Sequence, residues 1–148
     1  MTDKLVIALA QLNPTVGKIG ANFEKLREIR KKAAEEGADL ILTSELYTCG
    51  YPPEDLVRKP QFISSLRSAV EAFASETKDG GPAVLLGTPW VESDRLHNSL
   101  VLIEGGAITT TRHKYDLPNY GVFDEKRVFD PGPMPGPISF KDVRIGVP

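Results

Sequence analysis

An α/β domain is the fold class this sequence predicts, and three observations predict it. Leu5-Val-Ile-Ala-Leu-Ala-Gln-Leu12 is a near-continuous apolar run, the mark of a strand buried on both faces. From Asn22 the apolar period lengthens: Phe23, Leu26, Ile29, Ala33 and Ala34 recur at three and four residues among Lys, Arg and Glu. A second apolar run, Ala38-Asp-Leu-Ile-Leu-Thr43, follows. Strand, helix and strand in that order make a βαβ unit, parallel and right-handed in its crossover.

Each further element has its own signal. Asn13-Pro-Thr-Val-Gly17 is turn chemistry after the first strand. The first helix, over 23–36, closes at Gly37, a residue that takes the left-handed conformation common just past a helix end. Ser44 to Pro60 is a long loop, punctuated by Gly50, Pro52, Pro53 and Pro60, in which Pro53-Glu-Asp-Leu-Val57 has the makings of a helical turn. Phe62, Leu66, Ala69, Val70 and Phe73 share one face of a second helix over 62–77, which Lys78-Asp-Gly-Gly-Pro82 ends. Ala83–Pro89 reads as a third buried strand. Asn98–Glu104, the Gly105-Gly106 turn and Ala107–Arg112 form a hairpin. The stiff connector Pro131–Pro137 leads to Ile138–Phe140 and to a strand, Val143–Pro148, that enters the core.

Composition narrows the class without naming a function. A chain of 148 residues, 41% hydrophobic and 26% charged, is the size of one globular domain. Its net charge of −2 gives no reason to invoke nucleic acid or an anionic membrane surface, and no apolar run approaches the ~20 residues of a membrane span. The amino terminus lacks the basic-then-apolar layout of a signal peptide. With one cysteine, Cys49, no internal disulfide forms, and a reducing cytoplasm is the expected setting.

Chemistry concentrates in two loops. Glu45 directly follows the second strand, and in α/β sheets ligands gather beyond the carboxyl ends of strands, where a carboxylate serves as a general base or merely braces the loop. His113–Phe129, HKYDLPNYGVFDEKRVF, carries polar and aromatic residues with no apolar period. Lys114 there sits just past a strand end, and Glu125 lies in Asp124-Glu-Lys-Arg127, by itself an ordinary solvated charge run. His97 and His113 have no metal-ligand spacing partner. Neither GxxxxGK[ST] nor GxGxxG occurs, so no phosphate-cradling loop is present. Cys49 has no nearby His to activate it as a nucleophile.

Together these residues resemble the nitrilase superfamily, and within it the glutaminase (amidotransferase) domains of glutamine-dependent NAD synthetases. The first motif is Leu-Ile-Leu-Thr-Ser-Glu45-Leu-Tyr-Thr-Cys-Gly-Tyr-Pro-Pro-Glu-Asp-Leu56, and the second is Lys114-Tyr-Asp-Leu-Pro-Asn-Tyr-Gly-Val-Phe-Asp-Glu125-Lys-Arg-Val-Phe129. The opening Ile7–Gly17 and the Asn98-Ser hairpin fit as well. The resemblance implies the amino-terminal part of an αββα four-layer sandwich, a single incomplete domain over 1–148. It implies Glu45 as general base, Lys114 as the cation beside the oxyanion, Glu125 as the glutamate that orients the site, and Tyr120 and Phe123 as lining for a glutamine pocket. It places the nucleophilic cysteine, in an Ile-Cys-Glu context, just after a segment like Arg-Ile-Gly-Val-Pro148, so the 148 residues alone are expected to be inactive. No metal or cofactor belongs to this domain. ATP and magnesium belong to a separate synthetase domain with a Ser-Gly-Gly phosphate loop, which this sequence lacks. A homo-oligomer is expected. The alternatives are a stand-alone amidase of the same superfamily and a non-catalytic interaction module.

Overall fold

The computed structural model describes residues 4–147. Met1–Asp3, and Pro148 at the end of the expected terminal strand, lie outside the described residues. Five strands form one sheet in the order β1-β2-β3-β4-β5: β1 (Ile7–Ala10), β2 (Leu40–Thr43), β3 (Ala83–Glu92), β4 (Arg95–Glu104) and β5 (Ala107–His113). The first three run parallel, as the βαβ reading requires. The last two are antiparallel hairpin partners, with a register shift between Leu102 and Ile103. Since β5 therefore runs the same way as β2, the chain leaves both strands at the same edge of the sheet.

Helices α1 (Ile19–Glu35) and α2 (Pro60–Glu76) pack on one face. Phe23, Leu26, Leu66, Val70 and Phe73 meet Ile41, Val84, Leu86, Val101 and Ile103 there, with Phe23 and Phe73 in tilted ring contact at 5.7 Å. Each such buried side chain contributes about 1.5–3 kcal/mol of transfer free energy, so this seam fixes how the helices lie. α1 starts three residues before Asn22, because Asn22 is a buried bracket rather than a boundary. Its amide donates to Thr15 O and Thr48 O at 3.0 and 3.2 Å, tying together the loops after β1 and β2. Gly37, at φ +76°, ends the helix as the sequence predicts, and the Ala38 N–H returns to Ala33 O. α2 starts at Pro60, whose missing N–H costs nothing in a first turn.

The opposite face carries Leu40, Ala83, Leu85 and Leu102, covered by Ile138 and Phe140 of the short hairpin β6 (Ile138–Phe140) and β7 (Val143–Ile145). Helices, sheet and hairpin stack as three layers. Two strand expectations change here. β1 is an edge strand whose outer face is open, with Ile7 44% and Leu9 65% exposed, because the hairpin reaches across β2 to β4 only. The terminal strand lies at the margin of the core: among the described residues β7 pairs with β6, Val143 is exposed, and Ile145 and Val147 pack half-buried against the Leu40–Leu102 face. Among the described residues no helix is long and apolar enough to cross a membrane.

Candidate active site

Glu45, Lys114 and Glu125 converge at the edge where β2 and β5 end. Lys114 Nζ lies 2.7 Å from Glu45 Oε1 and 2.9 Å from Glu125 Oε1. The distance to be closed is considerable, since β2 and β5 are three strand spacings apart, roughly 14 Å. The sequence closes it in three moves. Beyond Thr43 the chain enters a turn over Glu45–Cys49 that leans across β3, where Thr48 N–H donates to Gly87 O at 3.1 Å and Gly87 N–H donates to Thr43 Oγ1 at 3.0 Å. Leu46, buried and at φ +49°, turns inward and leaves Glu45 facing out. From the far side the Lys114 side chain reaches back across β4.

Lys114 is well fixed. Its N–H donates to Asn98 O and its carbonyl accepts from Gly132 N–H, both at 2.8 Å. The preceding residue, His113, is held on every side. It stacks on His97 with centroids 4.1 Å apart, and its ring nitrogens lie 2.7 Å from Ser99 Oγ and 2.9 Å from Glu92 Oε2. Burial alone lowers the Lys114 ammonium, but hydrogen bonds to Glu45 and Glu125 and the charges of those carboxylates outweigh it, so its pKa stands above 10.5. The side chain is a lasting cation. An ammonium has three N–H donors; two meet the carboxylates, and the third is available to an incoming ligand.

Glu125 is the buried member of an otherwise exposed charge run, in a short 3-10 turn, Glu125–Arg127. Leu117 and Phe129 sink into the helix-side core on either side of it. Arg127 spans Asp124, Glu54 and Asp55, clamping this loop to the one after Glu45. Desolvation first, then the charges of Glu45 and Glu125, push the Tyr51 phenol above 10.0, which marks its closeness to the carboxylates.

Tyr120 and Phe123 lie on the outer side of the Glu125 loop. They contact each other edge-on at 5.6 Å and are 71% and 38% exposed. Phe123 lines a small cleft with Tyr51, Pro53 and Glu125. A larger cleft of about 260 Å³ opens over Glu45, Asn98 and Lys114, floored by Thr43, Gly87 and Leu100 and reached by neither aromatic. Cys49 is fully buried, its thiol pushed up by desolvation to about 12. Asn98 is the site residue that reading the motifs misses: its Nδ2 lies 2.6 Å from Glu45 Oε1 and 3.4 Å from Glu125 Oε2. Its signals in the sequence are the Asn98-Ser pair that joins the resemblance and its place as a polar residue just ahead of the apolar run Leu100–Ile103.

Beyond the strand ends, then, one ammonium lies between two carboxylates with an amide donor beside them. Residues 6–147 match the carbon-nitrogen hydrolase family, and the chain belongs to that family. Its nitrilase-superfamily α/β fold is shared with solved relatives. A glutamine-dependent NAD+ synthetase from Acinetobacter baumannii superposes with a TM-score of 0.86 at 34% identity, over 93% of this chain and 26% of that one. A variant of the amidase from Nesterenkonia sp. AN1, bearing acrylamide added at its active site cysteine, superposes at 0.78 with 27% identity, over 95% of this chain and 55% of that one. In sequence, the glutamine-dependent NAD(+) synthetase of Rhodobacter capsulatus is 40% identical across the whole chain, which corresponds to 27% of that protein. The chain spans about a quarter of the length of the curated relatives it matches.

Proposed function

We propose that these residues form the glutaminase part of a glutamine-dependent NAD synthetase, with Glu45, Lys114 and Glu125 as its catalytic carboxylates and cation. The observation that carries the reading is the Lys114 ammonium held between two carboxylates. A cysteine supplied by the polypeptide beyond residue 148 attacks the side-chain amide carbon of glutamine while Glu45 takes the thiol proton. The oxyanion of the tetrahedral intermediate meets the third N–H of Lys114, whose charge Glu125 keeps in place. Glu45 returns the proton to the departing ammonia. Water, activated by the same carboxylate, then cleaves the thioester to glutamate. The ammonia amidates nicotinic-acid adenine dinucleotide at a synthetase domain that uses ATP and magnesium, in a cytoplasmic homo-oligomer. Tyr120 and Phe123 line the glutamine pocket once the remaining polypeptide closes over them.

Cys49 takes no part, since a buried thiol with its pKa near 12 offers no thiolate at neutral pH. The 148 residues alone therefore release no ammonia from glutamine. The test is a glutaminase assay on the polypeptide continued past Pro148. Glutamine is hydrolysed in preference to short aliphatic amides, and Glu45→Gln lowers kcat by about 10²–10⁴. Turnover by the 148 residues alone, abolished by Cys49→Ser, sinks the proposal.

A further inference from the structure

We infer that Asn98 is a positioning residue that decides which oxygen of Glu45 acts as the base. The inference rests on the proposed role of Glu45 and goes beyond it. A carboxylate offers two oxygens, and here they are not equivalent. Oε1 accepts from both Asn98 Nδ2, at 2.6 Å, and Lys114 Nζ, at 2.7 Å. Among the described residues Oε2 accepts no hydrogen bond, and it is the oxygen left to take a proton from a nucleophile. With two donors on one oxygen the carboxylate cannot turn over without breaking both contacts. The base is held in one orientation before any substrate arrives.

Asn98 is suited to this by its place and by its chemistry. It sits in β4, the strand between the Glu45 turn and Lys114, and it is 4% exposed, so its own amide is fixed by packing. Its carbonyl accepts the main-chain N–H of Lys114 at 2.8 Å, so one residue sets both partners of the ion pair. The weaker 3.4 Å approach of Nδ2 to Glu125 Oε2 places a neutral donor between two like charges. The amide orientation follows from that position, because the reverse would aim Oδ1 at two carboxylates. Asp at 98 would add a third negative charge, while Lys or Arg would compete with Lys114 for Oε1. An uncharged amide aligns Glu45 without changing the charge of the site.

The test uses the full-length polypeptide that contains this sequence, comparing Asn98→Ala and Asn98→Asp with wild type. Ammonia release is measured from pH 5 to 9 for glutamine and for acetamide, and melting curves show which variants are folded. In both variants kcat falls about tenfold to a hundredfold, the worth of one charge-assisted hydrogen bond, while KM moves less than about threefold. Asn98→Asp, nearly the same shape, carries the test if Asn98→Ala does not fold. A folded variant with wild-type kcat overturns the inference, as does a loss confined to KM. If acetamide is hydrolysed and glutamine is not, the substrate reading fails while Asn98 is still judged on acetamide. If neither amide is hydrolysed, both fall.

Discussion

Gly87 lies directly under the carbonyl of Ser44: a β-carbon on Gly87 would stand 2.3 Å from that oxygen and 2.9 Å from the nitrogen of Leu46. Both obstacles are main-chain atoms, so no side chain can swing aside. The turn that presents Glu45 rests on bare backbone in the middle of β3.

Gly87→Ala therefore forces the Glu45 turn away from the sheet. The expected cost is about 1–3 kcal/mol of stability, in line with other overpacked interiors, read as a lower urea midpoint at unchanged m-value. Ammonia release by the longer polypeptide falls as well, since Glu45 then misses Asn98 and Lys114. An unchanged midpoint would show that the turn does not need this close approach.

Removing the ammonium acts on chemistry and also costs stability, since it leaves the buried Glu125 carboxylate without its cation. Lys114→Gln is expected to lower kcat by about 10²–10³, the loss typical of one donor to a developing oxyanion. Lys114→Arg is not expected to restore it, because a planar guanidinium cannot aim two N–H groups at the carboxylates and a third into the cleft as a tetrahedral ammonium does. Steady-state rates for the two variants settle the point.

Acid sensitivity centres on Asp79, which joins the end of α2 to Arg30 of α1 with both guanidinium contacts near 2.7–2.8 Å. The Arg30 hydrogen bonds, then that of Gly81 N–H, draw Asp79 from 3.8 down to about 2. A carboxyl whose folded pKa is depressed stabilises the fold above its unfolded value. That stabilisation is lost as pH falls from 3.8 towards 2. Asp79→Asn is expected to flatten the pH dependence of the urea midpoint within that window and to lower the midpoint slightly above pH 5, where the wild-type contact is intact. The effect is modest and shrinks with added salt, because Asp79 is more than half exposed.

Cys49 provides a check on the inert thiol. Alkylation by iodoacetamide at pH 8, followed by peptide mapping, is expected to leave Cys49 unmodified in the native protein and fully modified in urea. Rapid native labelling would contradict its burial.

Most of the framework is legible in the residues themselves. Period changes locate both helices and the five strands of the main sheet to within a few positions, whereas the three-residue strands β6 and β7 are placed only by the Pro131–Pro137 connector before them. What periodicity does not convey is whether a second layer lies over a face. Ile7 and Leu9 look as apolar as Leu40 and Ile41, yet the first pair is exposed. The site divides the same way. Glu45 and Lys114 announce themselves by standing beyond strand ends. Glu125 does not: within Asp124-Glu-Lys-Arg127 it is buried only because Leu117 and Phe129 sink on either side of it. Asn98 is less visible still, because its role comes from the β3–β4–β5 register and not from any local pattern.

The sheet order has a kinetic consequence. Strands β3, β4 and β5 form a meander with short turns, so the pairing that sets Asn98 beside Lys114 is local and quick to form. β1 and β2 join it through helical crossovers, and such parallel, non-local pairing is slow. Glu45 belongs to the slow half and Lys114 to the fast half, 69 positions away. The ion pair is therefore expected to form only as the two halves dock, and its appearance during refolding would time that step.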